Sequence, residues 1–102
     1  YTIHKYHFSD KEPLEDNWSW SFGLADHATG KINVGEWGFI SDHPNEVDWA
    51  RRFVAWLKLK GIRDSFFWCA SPNSFDTGGI LLDDCSSVDC RKMKILRDYW
   101  SD

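Results

Sequence analysis

Short apolar runs alternate with longer amphipathic stretches along this chain, and the alternation predicts three strands and three helices. The apolar runs are YTIHKYHF (1–8), KINVGEWGF (31–39) and DSFFWCAS (64–71). Their aromatic and β-branched content is typical of β-strands. The second run has few polar positions, which indicates a strand covered on both faces.

The clearest helix is predicted in HPNEVDWARRFVAWLKLKG (43–61), with Asn45 as its N-cap and Gly61 at its end. Its apolar residues recur at helical spacing. They are Val47, Trp49, Ala50, Phe53, Val54, Trp56 and Leu57.

Two further helices are predicted with weaker patterns. WSWSFGLADHATG (18–30) follows a polar stretch that Pro13 keeps irregular, and Gly30 would end it. SVDCRKMKILRDYW (87–100) would begin at Ser86 or Ser87. In that last helix we expect one apolar side formed by Met93, Leu96 and Trp100.

Strands about 30 residues apart with helices between them are typical of parallel βα units in an α/β fold. Three parallel strands alone would leave much apolar edge exposed. The pattern therefore predicts either a small open α/β sheet or, as we favour, a piece of a larger fold. The chain begins with Tyr1 instead of methionine, which fits a processed or cleaved sequence.

Composition narrows the function. The 102 residues suit a single domain, and the formal charge of −4 without a basic run argues against a nucleic-acid partner. No segment approaches the roughly 20 apolar residues of a membrane span. Aromatic residues make up 17% of the chain, and its seven tryptophans favour flat amphipathic contact surfaces.

Three cysteines leave several pairings open. Cys85 and Cys90 could close a short loop, or either could bond to Cys69, and each choice leaves one thiol over. A metal site is not predicted, because the chain has no CxxC unit and its histidines do not cluster with the cysteines.

Chemistry-bearing residues fall at the ends of the three predicted strands, where α/β proteins place their sites. The set is His4 and Tyr6 from the first strand, Glu36 from the second, and Trp68, Ser71 and Asn73 from the third and its loop. A carboxylate, a phenol and an indole in one pocket suit a sugar, whose ring stacks on an indole while its hydroxyls bind polar groups. Glycosidic bond cleavage needs two carboxyl groups.

Each of these residues also has a purely structural reading. Glu36 at a strand end would ordinarily be solvated, and His4, Tyr6 and Trp68 are residue types that commonly sit in or against a core. We assign Trp49, Phe53, Trp56, Phe66 and Phe67 to the core. These patterns alone predict an α/β piece with a candidate sugar site.

Three motifs together resemble a known family. YTIHKYHF, INVGEWGF and GIRDSFFWCASPNSFDTGGILLDD are similar, in order, to the sixth, seventh and eighth βα units of glycoside hydrolase family 5, the cellulase family. The most specific piece is the loop PNSFDTGGILLDD (72–84). The resemblance covers nearly the whole chain and is weakest over residues 11–30.

The resemblance implies a (β/α)8 barrel, of which residues 1–102 would be the carboxyl-terminal three units. It implies that Glu36 is the nucleophile of a retaining mechanism, that Tyr6 bonds to it and that His4 lines the cleaved subsite. Trp68 would be the sugar platform and Trp37 a packing residue.

Departures from the family loop put the neighbouring subsites in question. Ala70 stands where the family has an aromatic residue or leucine, Ser71 where it has asparagine, and Phe75 where it has glycine. Ser71 and Asn73 stay candidate substrate-binding residues.

The family's second glutamate, the acid/base, has no counterpart here. Glu12, Glu15 and Glu46 lie in the wrong segments. We therefore expect a complementary amino-terminal barrel chain that supplies this residue, and the unpaired cysteine could bond to it. The implied function is secreted, cofactor-free β-1,4-glucan hydrolysis, with mannan or xyloglucan as alternative substrates. A non-catalytic carbohydrate-binding remnant and a small free-standing interaction domain are the competing hypotheses.

Overall fold

The computed structural model describes residues 2–26, 32–72, 74, 77–82 and 86–101. Its elements alternate between strand and helix, and the three strands form one parallel sheet in the order β1-β2-β3. This confirms an α/β fold of three parallel βα units with an open sheet. The elements are β1 Thr2–Tyr6, a 3-10 turn His7–Ser9, α1 Leu14–Asp26, β2 Asn33–Gly38, α2 Pro44–Lys60, β3 Ser65–Phe67 and α3 Cys90–Trp100.

Two helix starts differ from the prediction. α2 begins at Pro44 with His43 as N-cap, so Asn45 is already helical, because proline's fixed φ and missing N–H suit the first helical position. α3 is capped by Asp89, whose carboxylate accepts from the backbone N–H groups of Arg91 and Lys92. Ser86 and Ser87 therefore do not open it.

Helix ends follow from local chemistry. Gly61 ends α2 as predicted, in the left-handed conformation (φ 72°) that glycine adopts without strain. α1 begins at Leu14, four residues before the predicted start at Trp18. The predicted stop at Gly30 lies outside the described residues.

One face of the sheet, hereafter the helix face, packs against all three helices. Its core is aromatic: Trp37 of β2 makes edge-to-face contacts with Phe53 of α2, Phe67 of β3 and Tyr99 of α3, at centroid distances of 5.7, 5.0 and 6.2 Å. The α2 residues Trp49, Phe53 and Trp56 are buried as predicted, and Trp37 packs as the resemblance implied.

Two expectations are wrong: the assignment of Phe66 to the core and the placement of Trp100 on the apolar side of the last helix. Phe66 is 68% exposed because strand alternation turns it away from the helix face, on which its neighbours Ser65 and Phe67 contact Trp37. Trp100 is exposed at the end of α3. The buried side of that helix is formed by Lys92, Ile95, Leu96 and Tyr99, with Met93 partly buried against the core.

β2 contains one residue more than its neighbours. Its register to β1 jumps between Ile3 and His4, and to β3 between Val34 and Trp37. Across this stretch β1 and β3 each have one residue fewer than β2, so the extra residue lies in β2, at Gly35. Val34 and Trp37 consequently both lie in the core of the helix face, although they are three positions apart.

Cys69 and Cys90 are free thiols in the structure, and each intrachain pairing considered above would use at least one of them. Cys85 lies outside the described residues. Among the described helices, none is both long and apolar enough to cross a bilayer.

Candidate functional site

A carboxylate and a phenol from neighbouring strands meet on the side of the sheet opposite the helices. The Tyr6 hydroxyl donates a short hydrogen bond to Oε1 of Glu36. Nδ1 of His4 lies 3.8 Å from the other oxygen, Oε2, which is within ion-pair range but beyond hydrogen-bond length. The three residues that the sequence placed at the ends of the first two strands are therefore in one cluster.

Backbone geometry explains this meeting. His4 and Tyr6 are two apart on β1 and share a face, and His4 pairs in register with Glu36. The extra residue at Gly35 lets Glu36 point away from the helices while Trp37 points into them. We call the surface formed by His4, Tyr6, Glu36 and Phe66 the open face.

The cluster is accessible from solvent. The Glu36 side chain is 30% exposed and His4 is largely exposed. The hydrogen bond from Tyr6 fixes the orientation of one carboxylate oxygen, while the second faces the imidazole. A partly exposed, oriented carboxylate can act as a nucleophile or as a general base.

Trp68 lies at the same end of the sheet. Its backbone N–H donates to the carbonyl of Trp37, the residue after Glu36, at 2.7 Å, and its side chain is 44% exposed. Its own carbonyl accepts from the Thr77 hydroxyl at 3.0 Å. Gly38 permits this packing, because a Cβ there would collide with the Trp68 carbonyl.

The remaining predicted residues lie in the loop after β3. Ser71 is exposed, and its backbone carbonyl packs so closely on Gly79 that any side chain there would clash. Asn73 lies outside the described residues. Backbone bonds from Ile80 to the Cys69 carbonyl and from Leu81 to the Ala70 carbonyl hold the loop against the end of β3.

Three neighbours of the site were missed from sequence. Phe8 stacks on Tyr6 at 5.2 Å and 10°, with most of its ring exposed; an aromatic two positions after Tyr6 was the available signal. Thr77, within this loop, and Lys92 of α3 are both buried and contact each other. A lysine in an amphipathic helix gave no signal of this contact.

The fold and the site geometry define a class of protein: an open, parallel α/β sheet with an oriented carboxylate at its strand ends. No protein-family model matches the chain. The major extracellular endoglucanase of Xanthomonas campestris pv. campestris is 39% identical over 85 residues, which is 81% of this chain and 17% of that protein. Endoglucanase G of Acetivibrio thermocellus is 33% identical over 92 residues, 88% of this chain and 16% of that protein.

Solved structures agree with these relatives. The hyperthermophilic endocellulase of the archaeon Pyrococcus horikoshii superposes with a TM-score of 0.88 at 27% identity, covering 99% of this chain and 31% of that one. A variant of that endocellulase, solved in complex with cellotetraose, superposes with a TM-score of 0.86. The chain is therefore a homologue of cellulase-family endoglucanases, and it matches a part of an endocellulase barrel.

Proposed function

We propose that this chain is the nucleophile-bearing, carboxyl-terminal portion of a retaining glycoside hydrolase that cleaves β-1,4-glucan. The observation that supports this most directly is the Tyr6–Glu36 hydrogen bond with His4 beside the second carboxylate oxygen. It occurs at the carboxyl ends of parallel strands, where barrel enzymes place their chemistry.

The proposed reaction has two steps. Glu36 attacks the anomeric carbon, the glycosidic bond breaks, and a carboxylic acid protonates the departing oxygen. Water, activated by the resulting carboxylate, then hydrolyses the glycosyl-enzyme ester and releases Glu36. Tyr6 and His4 hold the nucleophile in place, Trp68 supports the sugar ring, and Ser71 and Asn73 bind its hydroxyls.

The acid/base residue belongs, on this proposal, to a complementary amino-terminal barrel portion. Retaining enzymes need a second carboxyl group about 5 Å from the nucleophile. Two facts support a missing portion: the chain spans 31% of the Pyrococcus endocellulase, and Phe66 in the middle of β3 is 68% exposed. In a closed barrel the same strand face would be filled by side chains of other strands.

The relatives support a substrate class and a location for this chain. The Pyrococcus enzyme is an endocellulase that has been solved with cellotetraose, and the Xanthomonas relative is an extracellular endoglucanase. We infer the same β-glucan substrate class and an extracellular location for this chain.

Replacing Glu36 tests the proposal. In the complete enzyme, Glu36→Gln should lower kcat on cellotetraose by about 10⁴-fold or more while binding persists. Glu46→Gln, an equivalent change in the first turn of α2, is the matched control and should retain activity. Unchanged turnover in the Glu36 variant would refute the nucleophile role.

Two further measurements separate the parts of the proposal. Azide should rescue Glu36→Ala by attacking the anomeric carbon from the vacated position, which yields a glycosyl azide of inverted configuration. Intact-mass analysis of the native enzyme should reveal the remaining barrel portion, either on a second chain or joined to this one. A lone active species of about 12 kDa would contradict the need for it.

A further inference from the structure

Lys92 is a buried cation that the proposed chemistry does not use. Its side chain is 1% exposed, and burial lowers the pKa of its ammonium group. The Nζ donates to the backbone carbonyls of Thr77 (2.5 Å) and Gly79 (3.1 Å). It also lies over the rings of Phe39 and Phe67, at 5.7 and 6.0 Å.

These carbonyls belong to the short 77–79 loop, which contacts Trp68. The Thr77 hydroxyl donates to the Trp68 carbonyl, and Thr77 itself is fully buried. Gly79 packs directly on the backbone of residues 70–71. A continuous path of bonded or packed groups therefore leads from Lys92 through the loop to Trp68.

Burial of a lysine is a costly way to stabilise a helix. Taking an ammonium group out of water opposes folding, and an apolar side chain of similar volume often serves stability equally well. The two carbonyl contacts fix the loop in one position, which an apolar side chain could not do. The placement of Lys92 thus indicates that its role is to fix the position of the loop and not to stabilise the helix.

We propose that Lys92 is a positioning residue, which fixes the 77–79 loop and, through Thr77, holds Trp68 in the orientation that a sugar ring requires. The inference rests on the proposed function in so far as Trp68 is the platform. Lys92 itself touches neither the substrate nor Glu36 on this account.

The test uses the complete enzyme and two readouts. Lys92→Met, which keeps the stem and removes the ammonium group, should raise KM for cellotetraose about tenfold while kcat changes less than about threefold. Thr77→Val should reproduce the effect. Lys94→Met, on the exposed side of the same helix, is the matched control and should leave both constants unchanged.

A double substitution separates positioning from general stability. If Lys92 acts through Trp68, Lys92→Met should change KM by less than about twofold in a Trp68→Ala background. Provided that Trp68→Ala itself raises KM, an equal KM increase in both backgrounds, or an unchanged KM in Lys92→Met alone, would overturn the inference.

The second readout does not depend on catalysis. With 5-fluorotryptophan incorporated, the ¹⁹F resonance that Trp68→Phe removes should shift or broaden in Lys92→Met and stay unchanged in Lys94→Met. If Trp68→Ala leaves KM unchanged, the platform role fails, and the ¹⁹F signal alone decides whether Lys92 positions Trp68. An unmoved Trp68 resonance in Lys92→Met would refute the inference whatever the kinetics.

Discussion

The two faces of this sheet differ in what covers them. The helix face is covered by α1, α2 and α3 and is almost entirely buried, with Trp37 contacted by rings from two helices and a strand. The open face bears His4, Tyr6 and Glu36, all partly accessible, and the largely exposed Phe66. The helix face is a packed core, and the open face presents ionisable groups beside an exposed phenylalanine.

Adjacent residues show how sharply the faces are divided. Glu36 is partly exposed beside fully buried Trp37, and Phe66 is exposed beside Phe67, which packs against the core. Residue type does not explain the second pair, since both are phenylalanine. We infer that the helix face supplies most of the stability of this chain and that the open face bears the candidate site.

The largest expected effect comes from opening the helix face. Trp37→Ala should lower the free energy of unfolding by about 3–5 kcal/mol, because it removes a fully buried ring at the centre of the core. The urea midpoint of the chain measures this. Trp20→Ala, at an exposed position of α1, is the control and should change the free energy by about 0.5 kcal/mol or less. Equal losses in the two variants would contradict the division.

A second prediction compares two tyrosines, one on each face. Tyr6→Phe should lower kcat of the complete enzyme about 10- to 100-fold, because a hydrogen bond to a charged group is lost. Tyr99→Phe removes a buried hydroxyl that donates to the Ile62 carbonyl at 2.9 Å. It should lower stability by about 1–3 kcal/mol and leave kcat unchanged. Reversed outcomes would show that the faces do not separate chemistry from stability.

Element order could be predicted from the sequence because apolar periodicity reports directly on burial. Helix caps were less predictable. Asn45, Ser86 and Ser87 are good capping residue types, yet the observed N-caps are His43, which precedes a proline, and Asp89. Phe66 was misassigned for a different reason. Phe66 and Phe67 are adjacent and of the same residue type, so residue type could not indicate which of the two rings faces the helices.

The candidate site was predictable in part. Parallel strands bring their carboxyl ends together, so the contact of Tyr6 with Glu36 followed from topology. The extra residue in β2 was not predicted. It matters for the site because one inserted position reverses the face of every later side chain in the strand. Lys92 was missed because its carbonyl partners are 13 and 15 positions away and carry no side-chain signal.

A smaller effect is expected at the outer surface of the helix side. Arg52 bridges Glu12 and Glu15, each at 2.8 Å, and its hydrogen bonds lower the pKa of both carboxyls below 4.5. A lowered folded-state pKa contributes stability above pH 4.5 that is lost as the pH falls through the folded value.

Comparison of the wild-type chain with Arg52→Met isolates this contribution from other carboxyls. The difference between their urea midpoints should be present at pH 7 and low salt and should shrink as the pH falls below 4.5. It should also shrink at high salt, because the charges are exposed. A difference that does not fall with decreasing pH would contradict the ion-pair origin.

The smallest expected change is at Phe66, and it sharpens the comparison most. Phe66→Ala should alter the free energy of unfolding of the isolated chain by about 0.5 kcal/mol or less, since little of the ring is buried. Phe67→Ala, one residue along the same strand, is the matched control and should cost several times more, because its ring packs edge-on against Trp37 at 5.0 Å.

The same Phe66 substitution should behave differently in the complete enzyme. If other strands close over the open face, the ring becomes part of a packed barrel interior, and its removal should cost about 3–5 kcal/mol there. The urea midpoint of the complete enzyme measures this cost. A cost near zero in both settings would mean that nothing packs against the open face. The open face would then simply be in contact with solvent, and the proposed completion of the barrel by other strands would be wrong.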